Sequence, residues 1–219
     1  MKLFQHATSF ASIGVIAVIT AFTVQKNNTH PATAANKEII ATHKVTAFQV
    51  DSKNSKLLWT AHKVTGEHAG TINISSGTLN VENKALQSGS FKLDTRSITV
   101  TDIKDADSNA KLVGHLKSDD FFAVEKHPSA DFLITGIKPH GNDLYDLTGK
   151  LTIKGITNDI SFPATIKVDK DKLTATAKVK IDRTKYDIKY RSKNYFENLG
   201  DKAIYDDFEL DITLLANAQ

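Results

Sequence analysis

From Thr46 onward, apolar and polar residues alternate with a period of two. Leu173, Ala175, Ala177, Val179 and Ile181 fall on one face of their segment, and Lys172, Thr174, Thr176, Lys178 and Lys180 on the other. The same alternation runs through Ile160, Phe162, Ala164, Ile166 and Val168, and through Phe208, Leu210, Ile212 and Leu214. It recurs in Leu147, Gly149, Leu151 and Ile153, in Phe91 and Leu93, and in Leu79 and Val81. Successive side chains of a strand point to opposite faces, so each run predicts a strand with one dry and one wet face. Strands buried on both faces would read as unbroken apolar runs, which points to an antiparallel sheet.

Turn-forming residues separate these runs at Ser75-Ser76-Gly77, Gly141-Asn142-Asp143, Lys154-Gly155 and Asp169-Lys170-Asp171. Short spacing of this kind predicts hairpins in a meander. One stretch breaks the alternation. Asn109 to Lys117 carries Leu112, Val113 and Leu116 at helical spacing, which predicts a short helix in a long connection, with Asp107 or Ser108 as N-cap. A single short helix cannot cover a sheet, so the dry faces must meet each other in a sandwich or a closed barrel. Small residues at inward positions (Ala164, Ala175, Ala177, Gly149, Gly136) favour an all-β antiparallel barrel of about eight strands that keeps room for a ligand.

Composition narrows the chemistry. The formal charge is +3, but the first 34 residues hold Lys2, Lys26 and no acid, leaving 26 basic against 25 acidic residues in the remainder. The charges are interspersed, so no nucleic-acid footprint is present. There is no cysteine, which excludes a disulfide framework, a thiolate nucleophile, a Cys-ligated metal and an acylated N-terminal Cys.

The apolar run from Phe10 to Val24 follows Lys2 and is short for a membrane span, which needs about 20 residues. It matches the core of a signal peptide, and Ala32-Thr33-Ala34 has the small-x-small form of a cleavage site. Residues 1–34 are therefore read as a signal peptide or, alternatively, as an uncleaved anchor giving membrane association. Residues 35–45 are read as a flexible segment and 46–216 as one barrel domain. Either reading of the leader places the domain outside the cytoplasm, periplasmic or secreted.

No nucleophile elbow, phosphate loop or dinucleotide fingerprint occurs, and no cofactor is implied. The competing chemistry is metal-assisted hydrolysis or isomerisation, using His62, Glu67 and His68 or the group His115, Asp119, Asp120, Glu125 and His127. Their spacing matches no established ligand motif, and solvated, ion-paired side chains account for them equally well. Trp59 is either a core plug or a wall of the cavity. Of the adjacent Phe121 and Phe122, one is expected to pack inward and the other to cap the helix, with a lid over the barrel mouth as the functional alternative.

The chain resembles the YceI-like family of polyisoprenoid-binding, lipocalin-like proteins. The likeness runs from about Phe48 to Leu215 and includes Val50-Asp51, Ser55, Trp59, the segment Lys63 to Gly70, and Asp94 to Ile98. Its most specific block is His115-Leu116-Lys117-Ser118-Asp119-Asp120-Phe121-Phe122, followed by Glu125-Lys126-His127-Pro128 and Ala130-Asp131-Phe132. Leu147 to Thr157 and Arg183 to Ile188 complete it. Many relatives carry an Arg and a His ahead of the central block, where this chain has Lys111 and Gly114-His115.

The resemblance implies an exported, non-enzymatic barrel around a long amphiphilic lipid, such as a polyisoprenoid or a quinone tail, in a protein that can form dimers. The expected cavity residues are Trp59, Phe91, Phe121, Phe122, Phe132, Leu151, Phe162, Tyr186 and Phe208. Lys63, His115 and Arg183 are the expected head-group contacts.

Overall fold

Three two-residue turns carry positive φ at both positions: Asn83-Lys84 (50° and 65°), Asn142-Asp143 (52° and 63°) and Lys154-Gly155 (52° and 75°). Such turns twist in the sense that two antiparallel strands require, so each closes a tight hairpin. The computed structural model describes residues 44–219. The expectations for 1–34 and for nearly all of 35–45 therefore lie outside the described residues.

Ten strands follow: β1 (Val45–Val50), β2 (Lys56–Lys63), β3 (Gly66–Thr71), β4 (Asn73–Glu82), β5 (Ala85–Asp94), β6 (Ser129–Gly141), β7 (Leu144–Ile153), β8 (Ile156–Asp169), β9 (Lys172–Asp182) and β10 (Ile204–Ala218). Helix α1 (Ala106–Lys117) stands in the connection between β5 and β6. Eight strands form the expected antiparallel ring, in the order β1, β4, β5, β6, β7, β8, β9, β10 and back to β1. The ring closes through Phe48 opposite Ala218 and Val50 opposite Ala216.

The hairpin of β2 and β3 extends this ring. Strand β10 pairs with β1 at Ala216 to Ala218 and with β2 from Ile204 to Thr213. Between the two, Leu215 donates its N–H to the Ser55 hydroxyl at 3.0 Å, so a side chain bridges the gap in the ladder. The outer edge of β3 is covered by an irregular segment, with Thr99 N–H donating to Thr71 O (3.0 Å) and Thr101 N–H to Ala69 O (2.8 Å). Covering an edge in this way removes a site for unwanted strand pairing.

The two ends of the barrel differ. Turns at 83–84, 142–143 and 170–171 mark one, the hairpin end. At the other, the helix end, Lys154 donates from Nζ to the carbonyls of Asp119 (3.3 Å) and Asp187 (3.1 Å). It thereby ties the β7–β8 turn to the exit of α1 and to the 3-10 turn Arg183–Tyr186.

Four local expectations change. Helix α1 starts at Ala106 rather than Asn109, capped by Asp105, whose carboxylate accepts from Ser108 N–H at 2.8 Å. Ser75-Ser76-Gly77 is no turn but lies inside β4 at a bulge between Ile74 and Ser76. Bulges and turns favour the same small residues. Gly136 sits opposite the exposed Thr148 on the outer face, because a bulge after Ile134 reverses the alternation. Strand β1 begins at Val45, one residue earlier than expected.

Two neighbouring pairs splay apart. Pairing of β5 with β6 stops at Ser90 opposite Leu133, and pairing of β8 with β9 stops at Ala164 opposite Ala177. Pro163 has no N–H to donate and adjoins the second break. The first pair splays toward the hairpin end and the second toward the helix end, and each widens the interior on its side.

Candidate ligand cavity

The inward faces of the strands enclose two apolar chambers stacked along the barrel axis. The chamber nearer the hairpin end is lined by Phe91, Phe132, Leu147, Phe162, Ala164, Ala175 and Ala177, among others. The chamber at the helix end is lined by Trp59, Ile98, Leu116, Phe121, Phe122, Ile188, Ile204 and Phe208, with Thr95, Arg183, Tyr205 and Asp207 as its polar members. Leu93, Leu151, Ile181 and Leu210 line both. They form a waist where the chambers meet. Each chamber has a free volume of about 100 Å³, below the roughly 150 Å³ that admits a benzene ring in a dry protein cavity. A slender chain suits this space better than a ring system.

Three of the expected small residues, Ala164, Ala175 and Ala177, do line the cavity. Gly149 has a different use. A Cβ there would lie 2.4 Å from the Phe132 ring, so the missing side chain seats that ring against β7. Phe132 in turn stacks on Phe91 and tilts against Phe162, with centroids 6.4 and 5.5 Å away.

Trp59 is a wall of the helix-end chamber, held by its indole N–H, which donates to Thr99 O at 3.1 Å. Gly70 makes that approach feasible, since a Cβ would stand 1.8 Å from the same carbonyl and 2.7 Å from the indole. Phe121 and Phe122 both line this chamber, against the expectation that one would cap the helix. They lie in a turn rather than a strand: Phe121 N–H donates to Ser118 O, Phe122 N–H to Leu116 O, and Ala123 takes φ of 47°. Consecutive side chains of a turn need not alternate.

Seven of the nine expected cavity residues therefore line one chamber, Leu151 lines both, and Tyr186 lines neither. The last belongs to the 3-10 turn, and its ring packs into the core cluster with Leu151, Ile153, Val179, Ile181 and Ile188. Its hydroxyl is buried without a hydrogen-bond partner among the described residues. Burial, helped by the Asp182 carboxylate, pushes its pKa up to about 12.

The three expected head-group contacts separate. Arg183 alone lines the cavity. It is buried, and donates to the carbonyls of Tyr205 (3.0 Å), Ile188 (2.7 Å) and Ile204 (3.1 Å) and to Asp206 (3.3 Å). Burial pushes its pKa down, against the opposing effect of Asp206 and Asp182. Lys63 ends β2 opposite Ile204. His115 lies in the last turn of α1, 2.9 Å from Asp120, with its ring edge-on to Phe121 and Tyr190.

The residues weighed for metal chemistry are dispersed into pairs. His62 meets Glu67, His115 meets Asp120, and Asp119 meets Lys126. Among the described residues, no three His, Asp or Glu side chains converge on one point. Ile98, Ile188 and Ile204 also line the cavity without a sequence signal, because they stand in irregular segments or at a strand end where no period marks them, and Leu116 lines it from the last turn of α1.

A family model described as the YceI-like domain matches residues 48–216. Among curated proteins, a UPF0312 protein of Azotobacter vinelandii is 37% identical over 83 residues, covering 35% of this chain and 43% of its own. The protein YceI of Escherichia coli is 32% identical over 95 residues, covering 43% and 47%. The chain thus spans less than half the length of these curated relatives in the matched region. The crystal structure of Burkholderia cenocepacia BcnA superposes with a TM-score of 0.63 at 23% identity, over 77% of this chain and 99% of that one. A polyisoprenoid binding domain from Saccharophagus degradans, implicated in plant cell wall breakdown, gives 0.58 at 15% identity, over 80% and 99%. Both likenesses are likenesses of fold.

Proposed function

Since the chain belongs to the YceI-like domain family, we propose that it is an exported binding protein that holds one long, slender amphiphilic lipid along the barrel axis, as a carrier or sequestering protein. The observation that carries this reading is the pair of apolar chambers joined at the waist of Leu93, Leu151, Ile181 and Leu210. Burial of each CH₂ contributes about 0.8 kcal/mol, so a chain threaded through both chambers binds tightly with few polar contacts. The ligand of the Saccharophagus domain supports an isoprenoid chain.

The cavity wall holds few polar side chains, and they serve the fold. Arg183 is engaged by backbone carbonyls and Asp206, and Thr95 donates its hydroxyl to His127 O at 2.7 Å. This arrangement favours binding over catalysis. A polar head at the helix end would meet Lys63, His115 or the remaining donor capacity of Arg183.

Trp59 is the one tryptophan and lines the helix-end chamber. Its emission reports occupancy directly. Titration with prenyl alcohols of increasing length should change Trp59 emission saturably, and organic extracts of protein from its native host should release a stoichiometric lipid. An unchanged spectrum together with an empty extract would rule the reading out.

A further inference from the structure

One group of exposed large apolar side chains stands at the helix end of this barrel. Tyr195, Phe196 and Tyr205 are each about half exposed, at 51, 49 and 52%, and Val64 joins them through its N–H bond to Ala203 O. The loop that carries Tyr195 and Phe196 is fixed rather than loose. Both residues donate their N–H to Ser192 O, and Asn194 donates from its side chain to Asp206 at 2.6 Å. Asp206 also holds Arg183, which lines the helix-end chamber. Tyr205 lines the same chamber. The aromatic tip and the cavity mouth are therefore one surface.

Cations surround this tip. Between positions 185 and 202 stand Lys185, Lys189, Arg191, Lys193 and Lys202, against the carboxylates of Asp187, Glu197 and Asp201. Asp187 is paired with Lys189 at 2.8 Å, whose ammonium also lies 4.9 Å above the Tyr195 ring. Lys193 and Lys202 have no ion-pair partner among the described residues. Amphipathic aromatic rings flanked by lysines suit the boundary between bilayer and water, where the rings enter the headgroup layer and the ammonium groups meet lipid phosphates.

We propose that this rim docks on an anionic phospholipid bilayer, with Tyr195 and Phe196 inserted and the helix-end mouth facing the lipid. The docking is independent of what the cavity holds, because its contacts lie on the rim. The chain lacks cysteine, so a single introduced thiol labels one site. Phe196→Cys and, at the opposite end, Asn142→Cys in the full chain would each carry an environment-sensitive fluorophore.

With vesicles of phosphatidylglycerol and phosphatidylcholine in equal parts, the label at 196 should become several-fold brighter and shift to the blue, and the label at 142 should stay as in water. High salt, or Lys193→Glu with Lys202→Glu, should weaken the response, and pure phosphatidylcholine should give less. A silent label at 196 overturns the proposal, and so does an equal response at both sites, which a contact made elsewhere on the chain would produce. An equal response to charged and neutral vesicles overturns it as well. Brightening that depends on protein concentration without vesicles would assign the rim to a second copy of the chain instead.

Discussion

The Phe132 ring occupies the position that a side chain at residue 149 would need, with its nearest carbons 2.4 Å from where that Cβ would be. Gly149 is thus the mould for a cavity wall. The carbonyl of Leu133 lies 2.6 Å from the same point, so backbone as well as ring would have to move. Gly149→Ala should destabilise the protein by about 2 kcal/mol, within the usual cost of overpacking. Chemical denaturation measures this, and Phe132→Leu in the same chain should recover only part of the loss, since the carbonyl clash remains.

Ala177 lines the hairpin-end chamber beside Ala164 and Ala175. If the ligand threads both chambers, affinity for linear chains should rise with length by about 0.8 kcal/mol per CH₂ until the cavity is full. Ala177→Leu should bring that plateau to a shorter chain while leaving affinity for the shortest chains unchanged. Competition against a fluorescent fatty chain would read both quantities.

Arg183 holds three carbonyls and one carboxylate in the wall of the mouth. Arg183→Met keeps much of the volume but removes the donor to three carbonyls and the cation beside Asp206, which keeps its bond from Asn194. A loss of about 3 kcal/mol is expected, in the range for breaking a buried pair. Amide exchange should show the segment around Ile188 and Ile204 opening first.

Tyr186 makes alkaline stability pH-dependent. Below about pH 10 the phenol is protonated whether the chain is folded or not. Between there and about 12, the unfolded chain gives up this proton while the folded chain retains it. Stability contributed by the neutral phenol is therefore complete below pH 10 and falls as pH rises through that window. Tyr186→Phe should flatten the fall without lowering stability at neutral pH, because the hydroxyl it removes has no partner among the described residues. Denaturation midpoints across the alkaline range would check it.

The barrel is legible wherever two strands alternate cleanly. Leu93, Leu151, Ile181 and Leu210, which form the waist, all lie on the apolar faces of such runs. Legibility fails where the backbone inserts a residue. The bulge after Ile134 turns Gly136 outward, and that at Ser75 imitates a turn, since both use small residues. The start of α1 is hidden because its first turn is polar and exposed, so the apolar spacing begins only at Leu112. Tyr186 reads as lining because it adjoins strand β9, yet the 3-10 turn redirects it behind the wall.

The seam between β1 and β10 bears on how the chain folds. Six of the ring's neighbouring strand pairs are consecutive in sequence, four as tight hairpins, one through the α1 connection and one through residues 183–203, whereas Val50 opposite Ala216 joins the two ends of the domain. Contacts between distant residues carry the loop-closure entropy of everything between them and slow a fold that depends on them. Strand β10 pairs with β9, β2 and β1, so the meander from β4 to β9 stays an open sheet until the final strand arrives. Until β10 docks, the greasy inner face of that sheet is bare, and that interval is when the chain most needs protection from aggregation.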